Sequence, residues 1–116
     1  MTITVYGIPN CNTVKKARVW LADHQMDVTF HDFKKQGVSE ALLRDWLKHF
    51  PWEKLVNRAG TTWRQLTDEQ KAAVTDEASA IALMMEKPSV IKRPVIVTEQ
   101  HALLGFDEAA YAKAFA

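Results

Sequence analysis

A strand, a break and a helix follow one another at the start of the chain, and a second strand comes next. Residues 2–6, TITVY, are β-branched and aromatic, which is typical of a strand, and Gly7 and Pro9 interrupt it. Apolar residues then recur at helical spacing from Thr13 to His24, with Asn12 or Thr13 as the expected cap. Two strands joined by a helical crossover favour a parallel pair within an α/β sheet.

The second strand is predicted in MDVTFHDF, and KKQG after it is predicted as a turn. A helix is expected to begin at Ser39 and to end before Pro51, because its leucines, Trp46 and Phe50 form an apolar stripe. The stretch WEKLVNRAGTTWRQL is predicted as irregular. Two further helices open with Thr-Asp-Glu, in TDEQKAAV and TDEASAIALMMEK.

The end of the chain predicts a hairpin and a last helix. PVIVTE and HALLG are expected to form two antiparallel strands, followed by a helix capped by Asp107. The predicted order is therefore β-α-β-α, a helical insert, then β-β-α, which is a mixed α/β sheet. With 116 residues, we expect one domain over residues 1–116, with the helical insertion at about 39–86.

Composition excludes several classes of function. The net charge is +1, and the short pairs Lys15/Lys16 and Lys34/Lys35 do not make a basic face, so no nucleic-acid partner is expected. No apolar run approaches the ~20 residues that span a bilayer. The four histidines are scattered, so no metal site is predicted. One cysteine and no visible leader at MTITVYG predict a reducing location, the cytoplasm.

The single cysteine, Cys11, is the candidate reactive group. A lone cysteine is often a buried and inert residue, and that alternative stays open. However, Cys11 follows a strand and directly precedes a helix, where backbone amides and the helix dipole favour a thiolate. Asn12 and Thr13 are polar neighbours, and Lys15 and Lys16 add positive charge if they face the loop. We therefore predict a nucleophilic thiol at Cys11.

Three segments together carry a family resemblance: YGIPNCNTVKKARVWL, RAGTTWRQL and IKRPVIV. In this order they resemble the arsenate reductase (ArsC)/Spx family, most closely its YffB-like branch, over essentially the whole chain. The resemblance implies a thioredoxin-like fold with an extra helical segment. It also implies a redox-active thiol at Cys11 and a cis proline at Pro94 that faces it.

Arsenate reductases of this family hold the oxyanion with arginines, since guanidinium forks suit such groups. Arg93 matches one of these arginines. The middle one falls on Asn57, with Arg58 adjacent, and the one near the C-terminal hairpin falls on Phe106. Arg58 and Arg64 can supply charge by another route or can be ordinary surface residues. The loss of two arginines makes arsenate reduction the lesser prediction.

Two further departures affect the thiol itself. The family's histidine before the cysteine loop corresponds to Gly7, and the serine of its CGTS motif corresponds to Val14. Val14 also stands where Spx regulators have their second cysteine, so an internal disulfide switch is impossible. A non-enzymatic, Spx-like protein that binds RNA polymerase remains an alternative, although no residue of the chain argues for it.

The leading prediction is a thiol-dependent oxidoreductase with one reactive cysteine. A chain without a resolving cysteine needs an external thiol to complete its cycle. The resemblance implies that glutathione is this co-substrate, with no bound cofactor; another small thiol or glutaredoxin are the other candidate partners. The predicted site comprises catalytic Cys11 and the binding residues Asn12, Thr13, Lys15, Arg58, Arg93 and Pro94.

Overall fold

The computed structural model describes residues 2–115, which divide into two compact units. We call the part up to Gln36, together with the part from Arg93 onwards, the sheet unit. We call Gly37–Lys92 the helical unit. The helical unit contains the predicted insertion of 39–86 and extends beyond it at both ends. That the whole chain forms one domain stays a prediction.

The elements follow the predicted order of strands and helices. In chain order they are β1 (Ile3–Gly7), α1 (Asn12–Asp23), β2 (Val28–Asp32), α2 (Phe33–Gln36), α3 (Glu40–Leu47), α4 (Trp52–Leu55), α5 (Thr61–Arg64), α6 (Asp68–Ala72), α7 (Glu77–Glu86), a 3₁₀ turn (Pro88–Val90), β3 (Val95–Val97), β4 (Ala102–Leu104) and α8 (Glu108–Ala114).

The four strands form one mixed sheet in the order β2-β1-β3-β4. β1 runs parallel to β2, with Ile3 opposite Val28 and Gly7 opposite Asp32. β3 is antiparallel both to β1 and to β4. The predicted parallel first pair, antiparallel late pair and α/β class are therefore confirmed.

The core of the sheet unit lies between the sheet and two helices. A cluster of buried side chains joins β1 and β3 to α1 and α8; its members are Ile3, Val5, Ala17, Leu21, Ile96 and Tyr111. The alternation of buried residues along β1 places one face of this strand against the helices. The cluster fixes α1, and with it the loop that carries Cys11, against the central strand.

Three local predictions were wrong in detail. α1 begins one residue earlier than expected, and its N-cap is Cys11 rather than Asn12 or Thr13. The expected turn at KKQG is the one-turn helix α2, whose start is held by Lys34 N–H donating to the Asp32 carboxylate at 2.8 Å. The helix predicted up to Pro51 ends at Leu47.

Short helices with local caps build the helical unit. The irregular stretch contains two one-turn helices, α4 and α5. Both Thr-Asp-Glu starts form reciprocal capping boxes, Thr67 with Gln70 and Asp76 with Ser79. No helix within residues 2–115 is long and apolar enough to cross a membrane.

Candidate active site

The register of the sheet brings the loop after β1 and the segment before β3 to the same end of these two central strands. β1 and β3 are antiparallel, and Tyr6 near the end of β1 lies opposite Val95 at the start of β3. The chain that leaves β1 therefore meets the chain that enters β3. This pairing explains why Cys11 and Arg93 interact, although 82 positions separate their numbers in the sequence.

Cys11 lies at the end of a tight turn and at the start of α1. Its N–H donates to the carbonyl of Ile8 at 3.2 Å, and its own carbonyl accepts from Lys15 N–H at 3.0 Å. The side chain is free and partly exposed. The alternative of a fully buried cysteine therefore does not hold, and the reactivity of Cys11 stays a prediction.

Opposing effects act on the pKa of the Cys11 thiol. Burial of the sulfur raises this pKa, but the backbone amide of Val14, the guanidinium of Arg93 and the amide of Thr13 all interact with the sulfur as hydrogen-bond donors. Together with the positive charge of Arg93, they lower the pKa below its ordinary value. Neither amide has the geometry of a capping hydrogen bond, so both act on the thiolate as weak donors whose dipoles add to that of the helix.

Pro94 follows Arg93, and the Arg93–Pro94 peptide bond is cis, as the resemblance implies. The Pro94 carbonyl accepts a hydrogen bond from Gly105 N–H at 2.8 Å. Gly105 has a φ of 77°, a conformation that favours glycine, and its carbonyl accepts from the buried Tyr111 hydroxyl at 2.6 Å. Burial raises the Tyr111 pKa, so this hydroxyl stays protonated as the donor. These bonds attach the turn after β4 to the segment that carries Arg93.

Gly7 and Val14 are in direct contact beneath the cysteine loop. Val14 is fully buried, and a Cβ atom on Gly7 would lie 2.8 Å from its Cγ2. The two departures from the family pattern are therefore coupled, because the valine side chain fills the space that a side chain at position 7 would need. Sequence comparison showed both departures but not that they touch.

The other predicted site residues of the sheet unit lie on the first turns of α1. Asn12, Thr13 and Lys15 are exposed. Of these three residues, only Thr13 contributes to the lowered pKa of Cys11, and it does so through its backbone amide. The side chains of Asn12 and Lys15 do not contribute to that shift. The Val14 amide was not among the predicted site groups, although any residue at the third helical position directs its N–H towards the cap.

Arg58, Asn57 and Arg64 belong to the helical unit. The exposed Arg58 guanidinium lies over the rings of Trp52 and Trp63, with 5.2 and 5.9 Å between the guanidinium carbon and the ring centroids. Asn57 N–H donates to Val90 O at 2.8 Å. Arg64 is exposed at the end of α5. Within residues 2–115, no group of three or more metal-ligating side chains is close enough to hold an ion.

Comparisons with known proteins agree with this geometry. A solved protein named YffB shares 47% identity and a TM-score of 0.93, covering 98% of this chain and 99% of its own. A solved arsenate reductase (ArsC) related protein from Brucella melitensis shares 49% identity and a TM-score of 0.77, with coverage of 99% and 95%. An uncharacterised protein of Haemophilus influenzae is 46% identical, over 98% of this chain and 99% of its own.

These likenesses confirm the thioredoxin-like fold and the predicted resemblance. The profile of the ArsC family matches residues 6–114, which include the Cys11 loop, the helical unit and the Arg93–Pro94 segment. The chain therefore belongs to the ArsC family.

Proposed function

We propose that the protein is a thiol-dependent oxidoreductase that uses Cys11 as its nucleophile and glutathione as its external thiol, in a reducing cytoplasm. The observation that carries this proposal is the interaction of the Cys11 sulfur with the Val14 amide and the Arg93 guanidinium, which lowers the thiol pKa. A lowered pKa increases the thiolate fraction near neutral pH, and the thiolate is the attacking species.

The reaction has two exchange steps. The Cys11 thiolate attacks one sulfur of a disulfide, forms a mixed disulfide and releases the other half as a thiolate. Glutathione then attacks the mixed disulfide, takes over the bound half and regenerates the Cys11 thiolate. Arg93 stabilises the negative sulfur before attack and again as it leaves. The chain has one cysteine, so an internal thiol does not compete with glutathione.

Two residues support glutathione as a partner of this site. Arg93 and the exposed Lys15 are cations near Cys11 that can pair with the two carboxylates of glutathione. The side chains of Asn12 and Thr13 are the other binding residues in this proposal. Glutaredoxin is a second candidate reductant, because it would release the same mixed disulfide.

Mass spectrometry after incubation with oxidised glutathione tests the proposal. We expect one glutathione adduct on the wild-type protein, removed by excess reduced thiol, and none on Cys11→Ser. A pH titration of alkylation should give a midpoint below that of free cysteine measured under the same conditions. A wild-type protein that forms no adduct, or that alkylates as free cysteine does, would contradict the proposal.

Arsenate reduction is the second candidate, and Arg93 favours it because an oxyanion attacked by Cys11 would need a cation there. Phe106 counts against it, because an apolar ring stands where the family has another arginine. The assay measures arsenite formed from arsenate with glutathione and glutaredoxin. We expect no arsenite above the Cys11→Ser control; a clear excess would make this the primary function.

A further inference from the structure

An open groove lies along α1 in the sheet unit, and of its lining residues only Lys15 has a role in the function proposed above. Its volume is ≈ 500 Å³, within the range of small-molecule sites. We call it the α1 groove. It is lined by Lys15, Lys16, Val19, Trp20 and Asp23 of α1, and by Phe106 and Glu108 around the start of α8.

The α1 groove begins close to the reactive sulfur. Lys15 is one helical turn from Cys11, since its N–H bonds to the Cys11 carbonyl. With a rise of about 1.5 Å per residue, the lining from Lys15 to Asp23 extends for about 12 Å along the helix. The other wall starts at Phe106, next to Gly105, which is hydrogen-bonded to Pro94 beside Arg93. Both walls therefore start from segments that carry the thiol site.

The apolar part of the groove is held in place by the core. Trp20 and Phe106 each pack edge-on against the buried Tyr111, with ring centroids 5.4 and 5.0 Å apart. Val19, which also lines the groove, is 58% exposed, so its side chain is open to contact with a ligand. An apolar group placed here would cover Val19 without requiring Trp20 or Phe106 to move.

The charges of the groove are separated along α1. Lys15 and Lys16 lie at the end nearest the sulfur, and Asp23 lies at the far end. Among the described residues, the ion pairs that form do not involve these three side chains or Glu108. A ligand with a carboxylate near its sulfur would meet the lysines, and its apolar body would lie over Val19, Trp20 and Phe106.

We propose that the α1 groove binds the organic half of a small disulfide that carries an aromatic or branched apolar group and a carboxylate. This inference rests on the proposed function and names the substrate class. The Cys11 thiolate forms a bond to the sulfur of the half seated in the groove. The original S–S bond breaks, and its electron pair leaves with the other half as a thiolate. An external thiol then releases the seated half.

Disulfide-exchange rates test this proposal. The two probes are 5,5′-dithiobis(2-nitrobenzoate), which is aromatic and carboxylated, and hydroxyethyl disulfide, which is small and polar. The quantity compared is the ratio of the two second-order rate constants, divided by the same ratio for N-acetylcysteine at equal pH, which removes the difference in leaving group. We expect this normalised ratio to be about tenfold above one, as burial of one apolar side-chain-sized group gives.

The variants are Val19→Asp and Val19→Ser, with Met85→Asp as the matched control. Met85 is an exposed apolar residue of the helical unit, 44% exposed. Both Val19 changes should bring the normalised ratio close to one, and Met85→Asp should leave it as in the wild type. In addition, 4,4′-dithiodipyridine, which is aromatic but has no carboxylate, should show a smaller ratio than the carboxylated probe.

The outcomes separate this inference from the function on which it rests. If the wild-type protein reacts with hydroxyethyl disulfide no faster than N-acetylcysteine does, the proposed function fails. If it reacts faster but the normalised ratio is one, or if Val19→Asp does not change that ratio, only the groove assignment fails. If sedimentation shows a dimer that Val19→Asp dissociates, the groove is an interface between two copies, and the assignment to a disulfide is overturned.

Discussion

Two arginines, one in each unit, show how differently the same side chain is used. Arg93 in the sheet unit donates to the Cys11 sulfur, and its charge lowers the thiol pKa. Arg58 in the helical unit lies exposed over the rings of Trp52 and Trp63. In the family resemblance, Arg93 matches one of the arginines that hold the oxyanion, and Arg58 is adjacent to the position of another. The difference teaches that strand register, which brings Arg93 to the thiol, decides the role of an arginine more than its place in a motif does.

The two units also differ in the range of their contacts along the chain. In the sheet unit, residues from both ends of the sequence share one core, as Val5 and Ile96 do across β1 and β3. In the helical unit, the capping boxes join residues three positions apart, as Thr67 and Gln70 do. We therefore expect mutations of matched chemistry to have larger effects in the sheet unit.

The largest expected effect concerns two glycines, one in each unit. Gly7→Ala should lower the free energy of unfolding by about 2 kcal/mol, because the new Cβ would meet the stiff, buried Val14 side chain at 2.8 Å. Gly60→Ala should cost less than about 1 kcal/mol, since the nearest atom, 2.9 Å away, ends the partly exposed side chain of Asn57. Urea unfolding of both variants measures the difference.

A double variant identifies the cause at Gly7. Gly7→Ala combined with Val14→Ala should lose less stability than the sum of the two single changes, because the smaller residue at 14 leaves space for the new methyl group. Equal losses for Gly7→Ala and Gly60→Ala, or an additive double variant, would contradict this contrast.

The next effect concerns the arginines. Arg93→Met should slow alkylation of Cys11 at pH 7 by about tenfold, since a charge-assisted hydrogen bond contributes on the order of 1.5 kcal/mol. Arg18→Met is the matched control within the sheet unit, because Arg18 lies over the Phe30 ring, 4.3 Å from its centroid, and is not among the groups that shift the Cys11 pKa. Iodoacetamide kinetics provide the measurement. Equal slowing in both variants would mean that general charge, and not Arg93, activates the thiol.

A smaller effect is expected from Tyr111→Phe. This change removes the 2.6 Å hydrogen bond to Gly105 O and should lower the free energy of unfolding by about 1 kcal/mol. The counterpart in the helical unit is Thr67→Ala, which removes an exposed cap and should cost about 0.5 kcal/mol. If the Thr67 variant proves the less stable of the two, local capping outweighs the long-range bond.

The smallest effect is a dependence of stability on pH. The folded Cys11 pKa is lowered, so at intermediate pH the unfolded chain binds more protons than the folded chain does. Stability relative to Cys11→Ser should therefore rise as pH increases from the folded pKa to the ordinary pKa of a thiol, and should be lost again as pH falls. Urea unfolding at a series of pH values measures it. A difference that stays constant or shrinks with rising pH would contradict a lowered pKa.

Much of the fold could be predicted because its signals are local. The β-branched run before Gly7, the stripe that includes Leu43 and Trp46, and the Thr-Asp-Glu starts each indicate their element directly. The start of α1 was predicted one residue too late, because cysteine is not a preferred capping residue and its neighbours Asn12 and Thr13 are. α2 was missed because a single helical turn is too short to show a period.

The candidate site could be predicted only in part. Cys11 and Arg93 followed from position and from the family pattern. The contact between Gly7 and Val14, and the groove formed with Phe106, depend on side-chain packing between residues distant in the sequence. No spacing in a single sequence reports such packing. At Phe106 the sequence therefore indicated only that an arginine of the family pattern is absent.

The place of Val14 in the buried base of the cysteine loop has a consequence for redox equilibrium. A protein with two paired thiols yields two glutathione molecules per oxidised glutathione consumed, so its oxidised fraction changes when the whole glutathione pool is diluted. A protein whose second position is an aliphatic side chain exchanges one thiolate for another. At constant pH, its oxidised fraction depends only on the ratio of oxidised to reduced glutathione. In the proposed cycle, this chain would therefore respond to the composition of the glutathione pool and be insensitive to its size.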